Sequence, residues 1–352
     1  MLLTLALLFS ACGPAPAPEG GWGAEIPPAA VPAAAVAAGL SPGEAAAVVE
    51  SGQADGAQVT LAGVDIPAES ALLGNTLAAM PTGADLPMPS APGTLTASNK
   101  KAVIDYSNSS SGYVMICYAK ATSLKLKVQI AGPSGVTYTY NLNGSGDYEA
   151  FPLSDGNGRY KISVYENISR DSYALANSAS LDVSLISEYA PFLLPNQYVN
   201  YGPDSAVVVK ARELTQGISD TLDKVTAIYN FVVNTFTYDY QLAATVASGY
   251  VPDVDAVLAK GSGICFDYAA VITAMLRSQN IPTKLVVGYS GSIYHAWIST
   301  WSAEQGWING VIYFDGVTWK LLDPTFASSQ KTSQAIMDYI ADSANYTAKY
   351  LY

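Results

Sequence analysis

Three residues in the C-terminal half of the sequence carry the functional groups of a thiol enzyme. Cys265 follows the turn Gly261-Ser262-Gly263 at the predicted start of a helix. Unpaired backbone N–H groups and the helix dipole favour an anion there, so we expect this thiol to ionise readily. His295 lies in a predicted strand, and Asp323 lies at a strand end that the following proline holds extended. A cysteine, a histidine and a carboxylate in this order indicate a thiol nucleophile with its base.

Each of these residues also has a structural interpretation. A lone cysteine at the start of a buried helix usually belongs to the core. The same holds for a strand histidine near an aromatic residue such as Trp297, which is two residues on and so shares the sheet face of His295. His295 is, however, the only histidine in the sequence, and it lies where a thiol enzyme needs its base. We therefore favour catalysis for this set and interpret Asp267, in the first helical turn, as structural.

These motifs resemble the core of the transglutaminase-like superfamily over about residues 206–327. That family combines a glycine-preceded cysteine at a helix start with a His-Ala-Trp strand and an Asp-Pro strand end, here at Cys265, His295 and Asp323. The resemblance implies a papain-like fold. It also implies that Cys265 is the nucleophile, that His295 is the general base and acid, and that Asp323 orients the imidazole.

The elements that must position these residues form an α+β domain, residues 187–352. Ser205 is predicted to cap one helix, and Ser219 or Asp220 a second. A third helix is predicted from 265 to 279. Strands are then predicted at 284–289, 294–301, 311–314 and 317–322, the last two joined by the hairpin turn Asp315-Gly316.

A small β-sandwich is predicted to precede that domain, at residues 98–186. Apolar and polar residues alternate in the runs 124–130 and 160–164, and turn signals such as Asn-Gly at 143–144 separate such runs. Cys117 lies inside an apolar strand and is predicted to be a buried, unreactive side chain.

The N-terminal part is predicted to be a signal and a tether. Residues 1–12 form a short apolar run, too short to span a bilayer, with small residues before Cys12. The run resembles a bacterial lipoprotein signal in which Cys12 becomes lipidated, and a plain cleaved signal is the alternative. Residues 13–97, rich in Ala, Pro and Gly, are predicted to be a mostly disordered tether. We therefore expect an extracytoplasmic protein anchored to the bacterial cell membrane.

The composition restricts partners and cofactors. Among 352 residues, 29 are acidic and 17 basic, which gives a formal charge of −12 and argues against nucleic-acid binding. One histidine and three cysteines without chelating spacing argue against a zinc site. We expect no metal and no other cofactor.

Three functions fit this sequence. The favoured one is hydrolysis of amide bonds in a peptide or protein at the cell surface, with water as the acyl acceptor. The second is cross-linking of glutamine to lysine by a true transglutaminase. The third is a surface protein without activity, whose β-domain binds a cell-wall or protein ligand. An enzyme also needs an oxyanion donor besides the Cys265 N–H, and Tyr238 is the candidate.

Overall fold

The fold is that of a computed structural model, which describes residues 86–291, 293–303, 306–309, 311–314, 319–322 and 343–352. Several predicted features lie outside these residues, namely the signal with Cys12, most of the tether, the turn Asp315-Gly316 and Asp323. Within the described ranges, no helix is long and apolar enough to cross a membrane.

Two four-stranded antiparallel sheets form a β-sandwich. Their strands are β1 (Thr96–Ser98), β2 (Ala102–Asp105), β3 (Tyr113–Tyr118), β4 (Leu126–Ala131), β5 (Thr137–Leu142), β6 (Glu149–Pro152), β7 (Gly158–Ser169) and β8 (Ser172–Val183). The strand orders are β1-β2-β3-β6 and β5-β4-β7-β8. Side chains of both sheets meet in the interior, where the rings of Tyr140 and Phe151 lie 5.2 Å apart. The predicted β-sandwich is thus confirmed.

The sandwich begins before residue 98, the predicted boundary. The backbone N–H of Gly93 donates to Asp105 Oδ2 at 2.7 Å, and that of Leu95 donates to Ser107 Oγ at 2.9 Å. Residues 93–97, which their composition assigns to the tether, therefore run along the sandwich. Composition could not reveal this because the acceptors lie further along the chain.

In the described part of the chain, five α-helices follow a connector, residues 187–205. They are α1 (Ala206–Thr215), α2 (Thr221–Thr235), α3 (Tyr240–Thr245), α4 (Val254–Lys260) and α5 (Cys265–Ser278). Asp220 caps α2 by accepting hydrogen bonds from the N–H groups of Leu222 and Asp223. Every residue of α5 from Phe266 to Arg277 is buried, because α1, α2 and α4 pack on it from one side and a sheet from the other. The three predicted helices are therefore confirmed, whereas α3 and α4 were not predicted.

The remaining strands form the sheet under α5 and two smaller pairs. They are β9 (Thr237–Tyr238), β10 (Ser262–Gly263), β11 (Thr283–Ser290), β12 (Ile293–Ser302), β13 (Gly306–Asn309), β14 (Val311–Phe314), β15 (Trp319–Leu322) and β16 (Tyr346–Leu351). The main sheet is antiparallel in the order β13-β12-β11-β16, β14 pairs with β15, and β9 runs parallel to β10. The four predicted strands are present. The sequence pattern did not reveal β13 and β16.

Arg277 ties this sheet to the connector. Its buried guanidinium donates to the carbonyl oxygens of Thr283 at 2.9 Å, Leu194 at 2.7 Å and Tyr352 at 2.7 Å. A buried charge needs such acceptors to offset the loss of water. The contact fixes Tyr352, which lies at the site described next.

Candidate active site

The start of α5 is fixed by the short parallel pair of β9 and β10. Thr237 N–H donates to the Gly261 carbonyl, and Asp239 N–H donates to the Gly263 carbonyl, both at 2.9 Å. Gly261 has a φ of +62° and ends α4, a conformation that glycine adopts without strain. At Gly263, a Cβ would lie 2.6 Å from the Cβ of Asp267. Gly261 is therefore favoured by its backbone conformation, and Gly263 is required by the close approach of the Asp267 side chain.

Asp267 holds this helix start from within. Its carboxyl is completely buried and accepts hydrogen bonds from Ile264 N–H at 2.8 Å and from the Tyr250 hydroxyl at 2.7 Å. Burial raises the pKa of Asp267, and the two hydrogen bonds partly oppose that effect. The structural role predicted for this residue matches these contacts.

His295 lies in β12, opposite Gly288 of β11, and is 6% exposed. Its ring is stacked with that of Trp297, with centroids 6.2 Å apart and planes 19° apart. Tyr346 packs its ring against Trp297 at 5.2 Å. The two residues therefore share one sheet face, as the strand period predicts, and Trp297 supports the imidazole by packing.

Cys265 and His295 line one cleft with about 630 Å³ of empty space, part of it open to solvent. Residues from the β-sandwich, the connector, the loop before α4, the start of α5 and the sheet line it: Lys127, Thr139, Asn141, Tyr198, Gly249, Tyr250, Ile264, Cys265, Phe266, Val287, Tyr294, His295, Ala296 and Tyr352. The structure thus brings two of the three predicted triad members together. Asp323 lies outside the described residues.

Tyr238, the predicted oxyanion donor, is not among the residues that line this cleft. It lies in β9, and its ring packs edge-on against Tyr240 with centroids 4.9 Å apart. Its role stays a prediction.

Tyr294 is a cleft residue that the sequence pattern did not reveal. Its hydroxyl is buried and has no hydrogen-bond partner among the residues with described side chains. Burial is the main cause that raises the pKa of Tyr294, and the Cys265 charge adds to it, so the hydroxyl remains a donor at neutral pH. Neighbouring residues of a strand point to opposite faces of the sheet. The sequence pattern therefore gave no reason to place Tyr294 in the same cleft as His295.

The β-sandwich is held against the α+β part by tyrosines. The ring of Tyr138 in β5 lies 5.6 Å from Tyr350 and 5.8 Å from Tyr352, and Tyr140 lies 5.8 Å from Tyr198. The two Tyr138 pairs are edge-on, and such aromatic pairs add to the stabilisation by apolar burial. The edge of the sandwich therefore becomes a wall of the cleft.

No group of three or more His, Cys, Asp or Glu side chains that could hold a metal ion occurs in the described part of the chain. Cleft residues with nucleophilic or proton-transferring side chains include Cys265, His295, Tyr250 and Tyr294. This arrangement suits covalent chemistry at the sulfur.

Comparison with known proteins assigns a family to the part of the chain that carries Cys265 and His295. Residues 209–310 match the family model of the transglutaminase-like superfamily. The chain is 27% identical over 128 residues to a protein-glutamine gamma-glutamyltransferase of Pseudomonas aeruginosa, and the aligned region covers 32% of this chain. It is 31% identical over 129 residues to the uncharacterized protein YebA of Bacillus subtilis, and the aligned region covers 30% of this chain. The chain spans only 17% of the length of each of these relatives.

Two solved structures are also similar. One is a candidate cysteine protease from Cytophaga hutchinsonii, with 15% identity, a TM-score of 0.32 and coverage of 60% of this chain and 78% of that chain. The other is red sea bream transglutaminase, with 15% identity, a TM-score of 0.26 and coverage of 65% and 54%. The matched core at 209–310 contains Cys265 and His295. The family match therefore identifies residues 209–310 as a transglutaminase-like domain.

Proposed function

We propose that this protein is a cell-surface amide hydrolase of the peptidase type that works through Cys265, His295 and Asp323. One observation carries the proposal: Cys265 and the only histidine of the sequence reach the same cleft from α5 and β12. A structural cysteine and a structural histidine have no need to meet at an open cleft.

In the proposed reaction, His295 accepts the proton of the Cys265 thiol, and the sulfur attacks the carbonyl carbon of the amide. The C–N bond then breaks as the imidazolium gives its proton to the leaving amine. Water gives a proton to His295 and attacks the thioester. The C–S bond breaks, the acid is released, and the sulfur regains its proton. The complete cycle returns the enzyme to its starting state.

The negative oxygen that forms on the substrate needs hydrogen-bond donors. The Cys265 N–H at the first position of α5 is one donor, because the first N–H groups of a helix have no partner within the helix. Tyr294 lines the same cleft, and its buried hydroxyl has no acceptor among the described side chains, which supports this hydroxyl as the second donor. Asp323 is assigned to orient His295 by its family motif.

The choice of water over an amine rests on the charge of the cleft. Lys127 lines it, and its ammonium repels the protonated lysine that a cross-linking enzyme must bind before transfer. Transfer to an amine is the second candidate, because the Pseudomonas relative bears the name of a glutamyltransferase.

One assay separates these functions. A library of glutamine-containing peptides is incubated with the purified protein, with and without an added primary amine, and the release of ammonia and of peptide fragments is measured. Hydrolysis that the amine does not suppress supports the proposal. Incorporation of the amine at the expense of hydrolysis supports cross-linking. The Cys265→Ala variant is the matched control, which we expect to lose turnover while its melting temperature changes by only a few degrees.

Turnover that survives in Cys265→Ala would overturn the assignment of the nucleophile. No turnover of any peptide by the natural chain would favour a protein that binds a cell-wall or protein ligand through its β-sandwich.

A further inference from the structure

Lys127 places a cation on the cleft wall that the β-sandwich forms. In β4 it lies opposite Asn141 of β5, and its Nζ donates a 2.7 Å hydrogen bond to Asn141 Oδ1. The residues that flank each of them in the strand are buried in the sandwich. Lys127 and Asn141 therefore point outward from it, and both line the cleft of Cys265.

Asn141 is held in place by the α+β part of the chain. Its backbone carbonyl oxygen accepts a 2.8 Å hydrogen bond from Gln197 Nε2 in the connector. Gly249 lies beside the side chain, since a Cβ there would be in van der Waals contact with Asn141 Nδ2 at 3.7 Å. The backbone of Asn141 is thus held in place and its side chain is hydrogen-bonded to Lys127, which reduces the entropy lost when a ligand orders the two side chains.

The ammonium of Lys127 has no carboxylate to balance it among the described residues. The ion pairs there use other cations: Lys101, Arg159, Lys210 and Lys260. The acceptor of Lys127 is a neutral amide. Burial lowers the pKa of Lys127, and repulsion from Lys125 lowers it further. The cleft therefore favours the charged form less than water does, and a carboxylate bound there would offset both effects.

We propose that Lys127 and Asn141 form a subsite that binds a carboxylate of the substrate, so that the cleft prefers acidic peptides. This inference rests on the proposed function of the cleft and names its substrate class. The ammonium gives a charge-assisted hydrogen bond, and the Asn141 amide N–H gives a second donor. An acidic side chain and a free C-terminal carboxylate have the same chemistry at this subsite.

The test uses acetylated, C-terminally amidated peptides with a central glutamine among alanines. One flanking position at a time carries Glu or its neutral isostere Gln, and a further arm compares the free C-terminal acid with the amide. Binding to the full-length Cys265→Ala variant is measured by calorimetry. We expect the Glu peptide to bind about tenfold more tightly than its Gln partner at one position, or the free acid to do so over the amide.

Variants at Lys127 then identify the cation. In the same background, Lys127→Met keeps the apolar stem and should abolish the preference, whereas Lys127→Arg should keep it. Lys127→Glu should make a Lys peptide bind better than the Gln peptide. Lys125→Met, at an exposed position outside the cleft lining, is the matched control and should retain the preference.

A preference that persists undiminished in Lys127→Met, or no charge preference at any position, would overturn the subsite. Hydrolysis of peptides by the natural chain without regard to charge would leave the proposed function standing and remove only this inference. Charge-dependent binding without any turnover would support the subsite and contradict the proposed function.

Discussion

Tyr250 donates a 2.7 Å hydrogen bond to the carboxyl of Asp267, which is completely buried two residues after Cys265. The same carboxyl accepts from Ile264 N–H, the residue just before the helix. Since Tyr250 also lines the cleft, one buried acid connects the cleft wall to the helix start that carries the sulfur. This contact couples the stability of the fold to the geometry of the site.

Asp267 makes the stability of the fold depend on pH. Because the folded pKa of Asp267 lies above its ordinary value of 3.8, the folded chain binds this proton more tightly than the unfolded chain. The stabilisation is complete below 3.8 and is lost as the pH rises through the folded pKa. Asp267→Asn has no such proton. Its free energy of unfolding should therefore rise relative to that of the natural chain as the pH rises from 3.8 through the folded pKa of Asp267, as measured by urea unfolding.

A second variant controls for replacing a capping carboxyl with an amide. Asp253 caps α4 by accepting from Ala256 N–H and lies at an exposed position, so Asp253→Asn makes the same chemical change at the surface. If the free energies of unfolding of the natural chain and Asp267→Asn differ by the same amount at every pH, Asp267 does not make the stability depend on pH.

The two described cysteines should differ in reactivity. Cys265 is partly exposed at the cleft, whereas Cys117 is buried in β3, and burial raises the pKa of Cys117. Since only the thiolate is alkylated, iodoacetamide at neutral pH should modify Cys265 far faster than Cys117 in the folded protein. Peptide mass spectrometry after short exposures measures both rates. Equal rates in the folded chain would contradict the placement of Cys265 at an accessible cleft.

The sequence predicted the parts of this site that depend on local patterns. A glycine turn before Cys265 and an apolar run to residue 278 specify α5, and strand alternation places Trp297 on the same face as His295. It did not predict Lys127 or Tyr250 as cleft residues. Lys127 lines the cleft because the neighbouring strand β5 packs on the α+β part through tyrosines. Tyr250 lines it because the loop before α4 folds back onto Asp267. Contacts between residues so far apart leave no periodic signal in the chain.

Tyr294 offers a test of the oxyanion donor. Tyr294→Phe removes a buried hydroxyl without a partner among the described side chains, so it should not reduce the stability and can raise it by about 1 kcal/mol. If the hydroxyl donates to the oxyanion, kcat should fall by about 10²-fold. Steady-state kinetics and thermal melts of one preparation measure both effects.

Tyr289→Phe is the matched control, because Tyr289 is 38% exposed and its ring packs on Tyr294 at 5.5 Å. It removes a hydroxyl from the same aromatic pair and should leave kcat unchanged. An unchanged kcat in Tyr294→Phe would return the search for the second donor to Tyr238.

Cys12 carries the proposal that the protein is anchored to the membrane. A lipid on its sulfur would draw the chain into the membrane fraction. Expressed with its own N-terminal residues in a bacterial host, the natural chain should sediment with membranes, and Cys12→Ser should not. Detergent extraction and mass measurement of the N-terminal peptide check the cause. Release of both forms into the medium to the same extent would indicate a plain secretory signal.

Asp323 is the triad member that the sequence assigns on its family motif. Its proposed role is to accept a hydrogen bond from one ring nitrogen of His295 so that the other nitrogen faces the Cys265 sulfur. Asp323→Asn keeps the size of the side chain and removes the charge that stabilises the imidazolium. Turnover should fall by about 10²-fold or more with little change in apparent substrate binding. The loss should be smaller than in Cys265→Ala, because the cysteine and the histidine can still form an ion pair.

A double variant tests whether Asp323 acts through His295. Residues that work as a unit lose activity together, so Asp323→Asn combined with His295→Ala should cost much less than the product of the two single losses. Single-turnover kinetics of the four proteins in this cycle provide the measurement. Fully multiplicative losses, or an unchanged rate in Asp323→Asn alone, would mean that Asp323 only ends its strand. The orientation of the His295 imidazole would then have to come from a group other than Asp323.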